Sequence, residues 1–332
     1  MDENKDIFIA EKLSDAVKLL EHDRPDEVNT EISEMVKMHP EWVDERLRAE
    51  IELIMKQMEY RQSLKEFSFL RGLSLVYRYC EAAYRSIGED LDEYNGDADL
   101  PEKETIWWCW LQGVENAPEI VKCCFSSVKK LGKKVVVLDE NNIKEYVKLP
   151  EVIEEKYERG VISRTHYTDL LRLELLTEKG GLWVDATAWI SGVNMISTVL
   201  EDEELFFFRS GNVSEYIIFD SWFMQARKKS RILEATKQML YSYWEKETEL
   251  RHYFLMHLMM SLACRLYPDE FAELPIFSNE PAHVLQHSFF DVFSERRWKH
   301  ILMMSDVHKL TYKLDQKEIR GTFLEHFYLM GD

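Results

Sequence analysis

SRTHYTDLLRLELLTEKGGLWVDAT, residues 163–187, is the stretch from which the fold can be read. Leu170, Leu171, Leu173, Leu175 and Leu176 give it a wide apolar surface, which predicts a buried helix from about Arg164 to Lys179. His166, Asp169 and Arg172 recur at i, i+3 and i+6 and make one drifting polar stripe on that helix. Gly180-Gly181 closes it, as glycine does where a helix end needs a positive φ. Leu182 to Thr187 then reads as a strand whose tip carries Asp185. Taken alone, the stripe is explained by an intrahelical Asp169–Arg172 ion pair at the edge of the core. The strand tip changes that balance, because open α/β sheets bind ligands beyond the carboxyl ends of their strands. Helix and strand are joined tightly, so the stripe and Asp185 are predicted to face one cleft.

Working outward, residues 1–100 read as a helical N-terminal region. Glu11–His22 and Val28–His39 carry apolar residues at helical spacing, Pro40 interrupts, and helices are predicted over 41–61 and 64–87. Arg71, Arg78 and Arg85 recur every seven residues among Phe67, Phe69, Tyr77, Tyr79 and Tyr84. A packed helix with a solvated basic edge accounts for them, and a peripheral membrane or assembly-partner face is the alternative. The acidic segment 88–99 reads as a linker. From Thr105 the pattern changes. TIWWCWL (105–111) and KVVVL (134–138) are strand-like, with a helix predicted over 117–131 between them. LFFFR (205–209) and YIIFD (216–220) follow as strands, and long helices are predicted over 230–248 and 250–266. Alternating elements of these lengths indicate a mixed, mostly parallel sheet with helices on both faces, occupying 101–332.

The net charge of −19 disfavours broad binding to nucleic acid or anionic lipid. No apolar run approaches the ~20 residues of a membrane span, and the acidic N-terminus lacks a signal-peptide pattern. The five cysteines are odd in number and contain no CxxC pair, which argues against a disulfide framework or zinc site. These features predict a reduced, cytoplasmic protein.

Three ordered pieces, Trp107-Trp-Cys-Trp-Leu-Gln-Gly113, Ile162-Ser-Arg-Thr-His-Tyr-Thr-Asp-Leu-Leu-Arg172 and Gly180-Gly-Leu-Trp-Val-Asp-Ala-Thr187, resemble the bacterial capsular polysaccharide synthesis branch of family 32-like glycosyltransferases. The resemblance covers about residues 103–315. It implies a GT-A-like fold and transfer of a hexose from a nucleotide sugar, UDP-linked and with retention, to a hydroxyl of a capsular or other surface polysaccharide. It implies that Trp110 stacks on the base, and that Gln112 and Gly113 let the backbone approach the nucleotide. Asp169, Arg172 and Asp185 are then the catalytic group at the donor sugar and diphosphate, with His166 and Thr187 beside them. His308-Lys309-Leu310-Thr311-Tyr312-Lys313 resembles the closing segment of the family, so His308, Lys309 and Lys313 are expected at the diphosphate. Trp222, in an aromatic segment beginning at Asp220, is a weaker candidate for the acceptor sugar.

The second aspartate of the related Asp-x-Asp motif, a direct metal ligand there, is Thr187 here. A neutral hydroxyl is a poor ligand for Mn²⁺ or Mg²⁺. Two arrangements stay open: Asp185 alone anchors a divalent cation, or protein cations replace it. The expected partners are a nucleotide-sugar donor and a glycan acceptor, lipid-linked or free, with no nucleic acid. The same substitution motivates a second reading, a catalytically degenerate nucleotide- or glycan-binding module of an assembly system. His257, on an apolar helix, reads as a core residue. A Rossmann oxidoreductase ranks low because no GxGxxG follows a strand.

Overall fold

The computed structural model describes residues 2–21, 25–45, 47–58, 99–214, 217–314 and 318–331. The chain divides into two compact units, Met1–Ser74 and Leu75–Asp332. The predicted helix over 64–87, its arginine edge, and the linker up to residue 98 lie outside the described residues.

In the first unit, α1 (Asp2–Glu21), α2 (Pro25–Met38) and α3 (47–58) follow one another. Ala16, Val28, Ile32 and Ile54 close its core, each at the buried face of its own helix. The interruption at Pro40 is a 3-10 turn, Pro40–Trp42, so the helix expected from residue 41 starts later.

The second unit starts with β1 (Ile106–Cys109), α4 (Glu119–Lys129), β2 (Val135–Leu138), α5 (Ile143–Tyr146), α6 (Glu151–Glu158), α7 (Arg164–Glu178) and β3 (Gly181–Val184). Then come β4 (Ala188–Ile190), α8 (Asn194–Asp202), β5 (Leu205–Ser214), β6 (Ile217–Ala226), α9 (Arg231–Lys246) and α10 (Leu255–Leu266). It ends with α11 (Pro268–Glu273), α12 (Glu280–His287), α13 (Glu295–Met304), β7 (Val307–Lys309) and α14 (Phe323–Gly331).

The main sheet has the order β2-β1-β3-β6-β5. β1 runs parallel to both β2 and β3, while β6 runs antiparallel to β3 and β5. Four of the five strands therefore point the same way and β6 opposes them. The strands expected over 205–220 form a β5–β6 hairpin, whose β6 leg continues the sheet beside β3. A separate two-stranded ladder pairs β4 with β7.

The period-2 alternation of β1 divides its side chains between two layers. Ile106 and Trp108 join a core with α4, α12, α13 and α14, built around Val121, Leu285, Trp298 and Phe323. Trp107 faces the other layer, where its Nε1 donates to the Gly180 carbonyl at 2.7 Å. On that side α9 is tied to α7 by the buried Lys237, whose Nζ lies 2.6 Å from Glu178 and 3.6 Å from Glu174. Buried charge of this kind is tolerable because it is paired. No described helix is long and apolar enough to cross a membrane.

Candidate active site

Helix α7 begins on a side-chain cap, with Ser163 Oγ accepting from the His166 amide at 3.3 Å. It ends at Gly180 and Gly181, which have φ of 76° and 102°. Both glycines are also needed for space. A Cβ on Gly181 would lie 2.4 Å from the Thr105 carbonyl oxygen, and one on Gly180 would lie 2.6 Å from Leu100 Cβ. The turn therefore presses the end of α7 against β1 and feeds β3 directly into the sheet centre.

Beyond the carboxyl ends of β1 and β3 lies a cavity of about 530 Å³, within the range of small-ligand sites. Its wall includes Trp110, Gln112, His166, Asp169, Arg172, Asp185, Thr187, Trp222, Lys309 and Lys313.

Arg172 is the hub. Its guanidinium lies 3.3 Å from Asp169 Oδ1 and 3.6 Å from Asp185 Oδ1, donates to the Ser221 carbonyl, and sits 5.0 Å over the Trp183 ring. Burial raises the Asp169 carboxyl, but Arg172 and then His166 outweigh it and hold the group below its ordinary value. His166 is fixed from both sides. Trp244 Nε1 donates to its Nε2 at 2.9 Å, so the ring proton is on Nδ1 and faces Asp169 Oδ2 at 3.3 Å. Both nitrogens are thus engaged within the protein, and His166 orients Asp169.

Asp185 leaves β3 where its amide donates to the Trp222 carbonyl at 2.8 Å. Lys309 donates to its Oδ2 and to Thr187 Oγ1 at 2.6 Å. Burial raises the Asp185 carboxyl, but Lys309 and then Arg172 overcome this and hold it below its ordinary value. Lys309 is delivered by the β4–β7 ladder, where it pairs with Ala188; the Leu310 amide then donates to the Thr187 carbonyl at 2.8 Å.

The remaining sequence candidates divide. Trp110, just past β1, meets Tyr312 edge-on at 5.4 Å, and its Nε1 has no partner. Trp222 lines the cavity while its ring stacks on Phe208 at 4.7 Å. Gly113 has φ of 82° and shapes the turn after Trp110, but does not line the cavity. His308 is the correction. It is fully buried, its Nε2 lies 2.9 Å from Ser191 Oγ, and burial lowers it to about 4. Alternation in β7 sends it away from the cavity that Lys309 faces, so it is neutral and no diphosphate ligand.

Other wall residues carry no clear sequence signal. Asp220, on β6, accepts from Asn279 Nδ2, and burial raises its carboxyl. His257, read as a core residue, has its ring stacked on Phe219 at 5.2 Å; it also lines the cavity, and its Nδ1 lacks a partner. His283 and Gln286 reach the wall from α12. The β6 strand of the β5–β6 hairpin, helix α10 and the return of α12 bring these residues to the same wall.

The sequence matches the model for capsular polysaccharide synthesis proteins over residues 57–328. No curated protein matches the chain. Among solved structures it is similar to the PaToxG glycosyltransferase, at 14% identity and a TM-score of 0.36, over 58% of this chain and 79% of that one. It is similar to the apo glycosyltransferase GlyE of Streptococcus pneumoniae TIGR4, at 13% identity and a TM-score of 0.39, over 69% of this chain and 60% of that one. A third likeness is to a glycosyltransferase involved in glycosylation of the major capsid of PBCV-1, at 10% identity and a TM-score of 0.33, over 67% of this chain and 98% of that one.

Proposed function

The chain belongs to the capsular polysaccharide synthesis protein family, and we propose from that premise and the site geometry that it is a glycosyltransferase acting on a nucleotide-sugar donor and a glycan acceptor. The observation that carries this reading is the meeting of Asp185, Arg172 and Lys309 on one cavity wall, with Trp110 and Tyr312 nearby. The donor is a UDP-hexose. Trp110 offers an aromatic face to the base, Asp169 and Asp185 accept from sugar hydroxyls, and Arg172, Lys309 and Lys313 face the diphosphate.

Transfer proceeds with retention by front-face attack. The acceptor oxygen bonds to the anomeric carbon as the bond from that carbon to the diphosphate oxygen breaks. The electron pair leaves with the diphosphate, which takes the acceptor proton. The fixed cations stabilise charge that develops on the leaving group, and no water has to reorganise to do so. Trp222 and Asp220 form the acceptor side, where a hydroxyl of a growing surface polysaccharide, free or lipid-linked, is bound. The reaction belongs in the cytoplasm. Buried free thiols at Cys109, Cys123, Cys124 and Cys264 suit that compartment.

The test is release of UDP from a panel of UDP-hexoses in the presence of acceptor glycan. Turnover by the native chain that falls to background in Asp185→Asn supports the reading. Binding of UDP with no turnover above that variant would instead identify a nucleotide-binding module.

A further inference from the structure

We propose that Lys309 is the resident cation of the donor site, and that the site binds its nucleotide diphosphate without Mn²⁺ or Mg²⁺. This rests on the donor-site reading above. A metal at the strand tip would need Asp185 and Thr187, the two polar side chains of the Asp-Ala-Thr segment. Lys309 Nζ already donates to both of them, to Asp185 Oδ2 and to Thr187 Oγ1 at 2.6 Å.

The rest of the donor set does not suit a divalent ion. Mn²⁺ and Mg²⁺ take several oxygen ligands and favour anionic ones. Thr187 is neutral. Asp185 Oδ1 faces the Arg172 guanidinium at 3.6 Å. Asp169 spends one oxygen on Arg172 and the other on His166, each at 3.3 Å. Asp220, the next carboxylate along the wall, accepts from Asn279. A divalent ion beside Asp185 would stand against two fixed positive charges, Arg172 and Lys309, whose offsetting carboxylates, Asp169 and Asp185, are already engaged with them.

Lys309 has what the role requires. Its backbone is set by the register Ala188↔Lys309 and by the Leu310 amide on the Thr187 carbonyl at 2.8 Å, so the ammonium is built into the same ladder as the motif it serves. Its side chain is only 20% exposed. An ammonium has three N–H donors; Asp185 and Thr187 take two, and the third is available to a phosphate oxygen in the cavity. The hydroxyl at position 187 thus has a positive reason: it accepts from Lys309 without adding a charge that would tie the ammonium down.

Two measurements on the full chain test this. The first is Mn²⁺ titration followed by electron paramagnetic resonance, which needs no nucleotide. The expected result is no saturable site near Asp185. A stoichiometric Mn²⁺ site abolished by Asp185→Asn overturns the proposal. The second is calorimetric binding of UDP in EDTA and in Mn²⁺. Affinities within about twofold of each other are expected, with Lys309→Met weakening UDP about tenfold or more in EDTA and Lys309→Arg recovering part of the loss. A drop of about tenfold on adding EDTA, or native affinity in a folded Lys309→Met, overturns it. If UDP binds no form of the chain, the donor reading itself fails, and the Mn²⁺ titration alone decides the metal question.

Discussion

The Arg172 guanidinium lies 3.6 Å from Asp185 Oδ1, joining a helix to the tip of the strand that follows it through a diglycine turn. The same group reaches Asp169 at 3.3 Å and the Ser221 carbonyl. One planar cation therefore ties α7, β3 and β6 together at the cavity wall.

Arg172→Lys keeps the charge but loses the fork that spans these acceptors. The expected result is a stability loss of about 2–4 kcal/mol in urea melts, from buried acceptors left unpaired. UDP release should fall by about 10²-fold or more, since the ammonium cannot serve the carboxylates and the leaving diphosphate together. A variant with native turnover would remove Arg172 from the chemistry.

Trp244→Phe removes the donor to His166 Nε2 and leaves the ring filled. His166 is then free to change tautomer or rotate, and Asp169 loses a fixed neighbour. The expected cost is about 1–2 kcal/mol in stability. Because the effect runs through Asp169, the binding of intact UDP-hexose should weaken more than the binding of UDP, which isothermal calorimetry compares directly.

Gly181→Ala combines φ of 102° with a Cβ 2.4 Å from the Thr105 carbonyl oxygen and 2.8 Å from Trp107 Nε1. A loss of about 3 kcal/mol or more is expected, read as a lower urea midpoint at unchanged slope. Gly160→Ala provides the contrast: φ is 71°, but nothing lies within 4 Å of the added carbon. It should cost about 1 kcal/mol, from backbone strain alone.

Burial lowers His308, His257 and His283 from an ordinary 6.5 to about 4. Between those values the unfolded chain binds protons that the native chain refuses, so stability is full above about pH 6.5 and declines as the pH falls toward 4. For the fully buried His308 the loss over that range is on the order of 3 kcal/mol. Asp169 and Asp185 are held low as well, but their contribution disappears only below about pH 4. Urea melts from pH 8 to 4 should show a decline starting near pH 6.5, and His308→Gln should make it shallower while the contributions of His257 and His283 persist.

The period-3.6 leucines of 164–178, the diglycine and the runs 106–109 and 135–138 are local signals, and each became the element that it announces. The i, i+3, i+6 spacing likewise foretold the polar stripe of His166, Asp169 and Arg172 and the Asp169–Arg172 ion pair within it, because helix geometry alone sets these. The opposed direction of β6 was not legible. A continuous apolar run reads the same whichever way the strand runs, and its direction is fixed by a hairpin with β5.

What the sequence determined by itself is whatever depends on neighbours a few residues apart: the α7 stripe, the forced turn at Gly180-Gly181, and an aspartate at a strand tip. Only the tertiary structure decided which residue of His308-Lys309 faces the cavity. The choice depends on the register of a ladder between strands more than 100 residues apart, and a one-residue slip would exchange them. The pairing of Lys309 with Asp185 and Thr187, and the arrival of Asp220, His283 and Gln286 at the same wall, come from that long-range register and from chain reversal. Neither leaves a periodic trace in the amino-acid string.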